Sequence, residues 1–187
     1  MDSKALIVVL ALAATVSAAT VAVDKVHVIT RSIASVGSAK EAFERGYSDV
    51  LIIIRPKVSV VSAKYGQEMR VGFCVKYAKR RPPAPGVLQL HITVDCEVEV
   101  PYEKQLPDGT VASGYVRVTD YMWCEPSVIW LRIGENTTVW LVIALPENCP
   151  LRSGNVLGPT SVLIGLTAES PNMDLVAVDA MPVELIL

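Results

Sequence analysis

Residues Ala5–Val23 read ALIVVLALAATVSAATVAV, an apolar run without a charge, a proline or a glycine. Nine of its side chains are large aliphatics: Leu6, Ile7, Val8, Val9, Leu10, Leu12, Val16, Val21 and Val23. Burying each is worth roughly 1.5–3 kcal/mol, so water is not where this stretch ends up. Three destinations are physically open. It is removed as a signal peptide, it anchors the chain in a membrane, or it packs as an apolar helix among copies of itself.

The signal-peptide reading rests on Lys4, on the apolar stretch after it, and on Val16-Ser17-Ala18, which has the small residues of a cleavage site. Against it stands the phase of the apolar residues beyond Val23. Val26, Ile29, Ile33, Val36 and Phe43 recur on one helical face at close to heptad spacing. Ser38 to Arg45 consists largely of good helix formers, and Gly46 is a natural stop. The simplest expectation is one helix from about Ser3 to Arg45, roughly 60 Å long at 1.5 Å per residue. It would be apolar all round in its first half and amphipathic in its second. The β-branched Val26-His27-Val28-Ile29-Thr30 reads alternatively as a strand, and Gly37 weakens a helix locally.

The whole chain has 187 residues, a formal net charge of −2 and 51% hydrophobic residues. That charge gives no general attraction to nucleic acid or to anionic lipid. The mean hydropathy of +0.41 is high for a secreted domain, which implies that neighbours cover part of its surface. Cys74, Cys96, Cys124 and Cys149 include no Cys-x-x-Cys pair, which disfavours a zinc ribbon or a thioredoxin-like site. An even count behind an export-type segment reads as two disulfides with three possible connectivities. Sequential pairing, Cys74 with Cys96 and Cys124 with Cys149, is the expectation, with four buried free thiols as the alternative. Asn136-Thr137-Thr138 is a glycosylation sequon and fits an exported chain.

From Asp49 onward the period changes to two. Val50 to Ile54, interrupted by Pro56 and resumed at Val58, Val60 and Val61, reads as one kinked or two edge strands. In Met69–Lys79, Val71, Phe73, Val75 and Tyr77 point one way and Cys74 the other. Lys79-Arg80-Arg81-Pro82-Pro83-Ala84-Pro85-Gly86 is a proline-stiffened basic loop, a possible contact for a surface or DNA and more simply a solvated turn. Val87–Val100 alternates throughout. Its wet face carries His91, Asp95, Glu97 and Glu99, which could hold a cation such as Ca²⁺ but suits plain solvent better. Pro107-Asp108-Gly109-Thr110 predicts a hairpin from about Tyr102 to Val118. Gly134-Glu135-Asn136 predicts a second, between Ser127–Ile133 and Thr138–Leu145, with Trp130 and Trp140 as core or interface filler. Ser161–Ala168 and Leu175–Leu187 close a set of about nine strands.

No catalytic pattern stands out. Gly-x-Ser-x-Gly, His-Glu-x-x-His, the phosphate-binding glycine loop and the dinucleotide fingerprint are all missing, and the histidines are only His27 and His91. The expectation is therefore no enzyme, no cofactor, no metal and no catalytic residue. The fold class is expected to be α+β: a long N-terminal helix over residues 1–46, then an antiparallel immunoglobulin-like β-sandwich over 47–187.

An apolar-then-amphipathic helix feeding a β-sandwich head resembles the archaeal type IV pilin and archaellin superfamily. Lys4-Ala5 before Leu6-Ile7 looks like a prepilin-peptidase site. The resemblance implies an extracellular structural filament, membrane-inserted before assembly. Its subunits would polymerise through one helix, by way of Leu6, Ile7, Val8, Val9, Leu10, Leu12, Val16, Val21, Val23, Val26, Ile29, Ile33, Val36 and Phe43. Its sandwiches would form an outer sheath for adhesion, with contacts through Lys79, Arg80 and Arg81. The rival is a secreted sandwich that loses residues 1–18 and polymerises by donating strand Val21–Thr30 to a neighbour's sheet. A membrane-anchored binding module is the third reading.

Overall fold

The strand-forming residues found by alternation bury one face each, and a computed structural model shows how those faces meet. It describes residues 39–95, 99–152, 156–157, 160–173 and 176–187. Among these residues twelve strands are formed: β1 (Val50–Pro56), β2 (Val60–Ser62), β3 (Met69–Arg80), β4 (Val87–Asp95), β5 (Glu99–Gln105), β6 (Val111–Arg117), β7 (Met122–Glu125), β8 (Val128–Arg132), β9 (Asn136–Ile143), β10 (Ser161–Glu169), β11 (Val176–Ala180) and β12 (Val183–Ile186). One five-stranded sheet has the order β11-β1-β3-β9-β7, a second has β2-β12-β10-β4-β8, and β5-β6 is a separate hairpin.

Both large sheets turn their apolar faces onto one core. Ile52 and Ile54 of β1, Phe73, Val75 and Tyr77 of β3, and Leu141 and Ile143 of β9 meet Leu88, Leu90, Ile92, Ile164, Leu166 and Leu185 from the other sheet. The hairpin adds Val100 and Val116. The Tyr77 phenol is satisfied inside the core by donating to the Pro85 carbonyl (2.7 Å), and burial raises its pKa.

The two ends of the sandwich chain cross between sheets together. β1 runs parallel to β11 in the first sheet, and their continuations β2 and β12 run parallel in the second. At the crossing Met181 donates to the Ile54 carbonyl (3.0 Å) and Glu184 to the Ser59 carbonyl (2.8 Å). Arg55 clamps it from the side, with Nη2 on Asp179 Oδ2 (2.7 Å) and Nη1 on the Asp179 carbonyl (2.6 Å). β1 is thus an interior strand. The reading of residues 50–61 as edge strands holds only for β2.

The expected α+β class is overturned, and the fold is all-β. Among the described residues helix is confined to residues 39–44 and a 3₁₀ turn at Val118–Tyr121, so no helix reaches seven residues. Gly46 does stop the helical turn, at φ 83°, with Gly46 N–H on Phe43 C=O and Tyr47 N–H on Ala42 C=O in a Schellman arrangement. The turn is an accessory of the first sheet. Ala39 and Phe43 bury against Leu51 of β1 and Ala177 of β11, on the sheet face opposite the core. Residues 39–46 therefore pack on the first sheet of the sandwich, and the rest of the expected N-terminal helical segment, residues 1–38, lies outside the described residues.

A second correction concerns residues 128–143. β8 and β9 do not pair as a hairpin; β8 pairs with β4, and β9 with β3 and β7. The turn at Gly134 (φ 85°) carries the chain from one sheet to the other, and the two strands face each other across the core. The first hairpin forms as expected, β5 on β6, with Gly109 at φ 82° and the Asp108 carboxylate accepting from the Thr110 N–H and hydroxyl.

Candidate interaction surfaces

Alternation that buries one residue exposes the next, and at three places the next residue is tryptophan. Trp130 lies between the buried Ile129 and Leu131 of β8 and is 61% exposed. Trp123 lies between Met122 and Cys124 of β7 (41%), and Trp140 between Val139 and Leu141 of β9 (38%). For Trp130 and Trp140, expected as core or interface filler, the core half of that expectation fails; Trp123 is not singled out by the sequence. The phase of the flanking residues already carried the signal.

Trp123 and Trp140 share the outer face of the first sheet and are braced there. Trp140 stands directly across from Gly72 of β3. Lys57 Nζ sits 5.4 Å over the Trp140 ring. A methyl group at Gly72 would come within 3.2 Å of that ring and 3.0 Å of the Lys57 stem, so the glycine is what lets the indole lie down on the sheet. Trp123 donates to Glu125 (2.8 Å), and Glu125 is held by Arg70 (3.2 Å). Val142, between Trp123 and Arg70 in register, is fully buried although it points away from the core.

Among the described residues nothing comparable braces Trp130. It lies on the outer face of the second sheet, opposite Gln89 and diagonal to Val87 and His91. Val87 and Val128 on the same face are themselves exposed. Leu163 of β10, Ile186 of β12 and Val60 of β2 expose further apolar surface on this side of the sandwich.

Among the described residues the sheets have four outer strands, β11 and β7 on the first, β2 and β8 on the second. On β7 and β8 the core-facing residues are fully covered. On β11 the core-facing Val176, Val178 and Ala180 remain half-buried. A cleft of about 250 Å³ lies beside them, lined by Ala168, Glu169, Ser170, Met173 and Val176. At the same edge the buried Asp179 keeps its Oδ1 without a hydrogen-bond partner.

The residues singled out in the sequence scatter. Leu6, Ile7, Val8, Val9, Leu10, Leu12, Val16, Val21, Val23, Val26, Ile29, Ile33 and Val36 lie outside the described residues. Phe43 is occupied in packing on Leu51 and Ala177. Cys74, Cys124 and Cys149 are free thiols, so neither sequential bridge is formed; Cys96 lies outside the described residues. Cys74 does point away from the core, between Arg55 and Thr138 in register, while Cys124 and Cys149 are core residues. Burial raises the Cys124 thiol to about 11 and pushes up Cys149, which leaves both as poor nucleophiles. Burial, then the neighbouring Cys149, also raises Tyr65.

Asn136 is exposed at the start of β9, beside the Gly134 turn and across from Lys76. Two arginines of the basic loop are turned onto their own chain. Arg80 donates to the Ala84 carbonyl (2.7 Å), and Arg81 donates to the Glu44 carbonyl (2.8 Å) while stacking 5.1 Å over Phe43. They brace the loop and the helical turn. Among the described residues no three His, Cys, Asp or Glu side chains gather as metal ligands, and no helix is long and apolar enough to cross a membrane.

No family model and no curated protein matches this chain. Solved structures resemble it distantly. The ASH/PapD-like domain of human CEP192 is 11% identical with a TM-score of 0.35, over 71% of this chain and 81% of that one. The class 5 fimbriae chaperone CfaA is 10% identical with a TM-score of 0.31, over 71% and 54%. The seventh ScaB type I cohesin of Pseudobacteroides cellulosolvens is 7% identical with a TM-score of 0.26, over 73% and 91%. At these values the likenesses carry no argument about partners or activity.

Proposed function

We propose that this chain is a structural β-sandwich subunit of a pilus-like cell-surface filament, in which copies of the chain cover one another's exposed apolar faces and open sheet edges. The observation that supports this reading is the outward Trp130 with Val87 and Val128. A tryptophan 61% exposed among exposed valines leaves a large apolar area in water, and such patches mark association surfaces. Tryptophan supplies much contact area for little lost side-chain entropy, which suits a repeated interface. The exposed Asn136 sequon and the export-type N-terminal run fit an extracellular place for the assembly. Sedimentation velocity of the full chain over a hundredfold range of concentration tests it. Growth of large species with concentration is expected, and Trp130→Ser should shift the onset upward by about tenfold, the effect of losing about 1.4 kcal/mol per contact. A monomer at every concentration, for both proteins, would overturn the reading.

A further inference from the structure

Of the four outer strands among the described residues, β11 and the three-residue β2 leave core-facing side chains half-buried, and β11 does so over three residues, Val176, Val178 and Ala180, against Val61 alone on β2. Met181 N–H is bound to Ile54 C=O, and Ala177 N–H to Ser48 Oγ (3.1 Å), so the odd-numbered residues of this segment face β1. The alternation of a parallel ladder then turns the amide groups of Val176, Val178 and Ala180 outward, away from β1. Their side chains sit half-covered next to the Met173 cleft. One added strand would meet both needs at once: ladder partners and apolar side chains on the core side.

We infer that this edge is an acceptor for the segment Val26-His27-Val28-Ile29-Thr30 of a neighbouring copy. The segment is β-branched at four of five positions, so it suits a pleated, half-buried surface. With Val26, Val28 and Thr30 turned to the core side, they cover Val176, Val178 and Met173. The tether fits as well. The described part of the chain starts at Ala39, packed with Ala177 of β11 itself, and residues 31–38 span about 28 Å when extended, enough to reach an adjacent molecule. The inference rests on the subunit reading, which makes the donor a second copy. The other outer strands suit it less: β2 has three residues, β7 is braced by the Trp123–Glu125–Arg70 chain, and β8 already covers its core residues.

The test is photo-crosslinking in the full chain with p-benzoylphenylalanine in place of Val178, using equal amounts of ¹⁴N- and ¹⁵N-labelled protein and peptide mass spectrometry. Crosslinks to residues 21–30 carrying the other label are expected. Crosslinks to those residues only within one label, or assembled material with no crosslink to them, would overturn the inference while leaving the subunit reading standing. Absence of assembly would overturn the subunit reading itself. Val178→Pro supplies a second readout, because it removes an outward amide that the fold does not use. Assembly should weaken at least tenfold with an unchanged tryptophan emission and melting midpoint in the monomer; unchanged assembly would also overturn the inference.

Discussion

Phe43→Ala isolates the point at which the helical turn meets the sandwich. The ring is 7% exposed and packs with Ala39, Leu51 and Ala177, with Ile53 and Ala78 at the margin. Deleting a buried phenylalanine from a full core costs about 3–5 kcal/mol. Here the cluster is small and lies on the outer face of a sheet, so part of the space is refilled by water or by the Arg81 stem, and about 2–4 kcal/mol is expected. Within that sum, the guanidinium 5.1 Å over the ring accounts for about 0.5–1 kcal/mol. Urea unfolding followed by far-UV circular dichroism gives the difference directly, and at roughly 2–4 °C per kcal/mol the melting midpoint should drop by roughly 4–16 °C. Arg81→Gln alone should cost less, and the double mutant should reveal a coupling of about 0.5–1 kcal/mol. Lys40→Ala, on the solvent side of the same turn, should stay within about 0.5 kcal/mol. If Phe43→Ala were as silent as Lys40→Ala, the turn would not be docked on β1, and that strand would not be covered on both faces.

Asp179→Ala breaks the clamp at the sheet crossing and should cost about 1–2 kcal/mol, because Arg55 is partly solvated and keeps its bond to the Asp179 carbonyl; a loss below about 0.3 kcal/mol by urea unfolding would mean that the clamp does not hold the crossing. The thiols give a pH prediction. Cys124 titrates higher folded than unfolded, so the unfolded state loses its proton first, and stability should fall as pH rises from about 9 towards about 11. Cys124 should resist a thiol reagent in the native state and react in denaturant; rapid native labelling would contradict its burial. Iodide should quench Trp130 emission in dilute protein and lose access as the chain assembles, and equal quenching in both states would exclude that face from the contacts.

What the sequence discloses is local. The alternation in β3 and β4 names their buried residues correctly, and Gly46, Gly109 and Gly134 mark turns that need a positive φ. Alternation says which side chains are buried but not which sheet a strand joins, so residues 128–143 read as a hairpin although they face each other across the core. The periodic run ending at Phe43 reads as the close of a long helix, whereas the described part is one helical turn whose apolar residues are spent on the outer face of the first sheet. The cysteines can be counted in the sequence, but their pairing depends on separations that a sequence does not fix. The tryptophans are legible in phase: each lies between two buried residues, which turns it outward. The half-covered outer strand β11 is not, because a strand's position at a margin is a property of the whole topology.

Whether this chain is a filament subunit is decided most directly by electron microscopy of the full-length protein, purified and also recovered from the cell surface. Regular filaments with a repeat of one sandwich per subunit are expected, lost or shortened in Trp130→Ser and Val178→Pro. Discrete monomeric particles at every concentration, with both variants indistinguishable from the parent, would contradict the filament and the two contacts together.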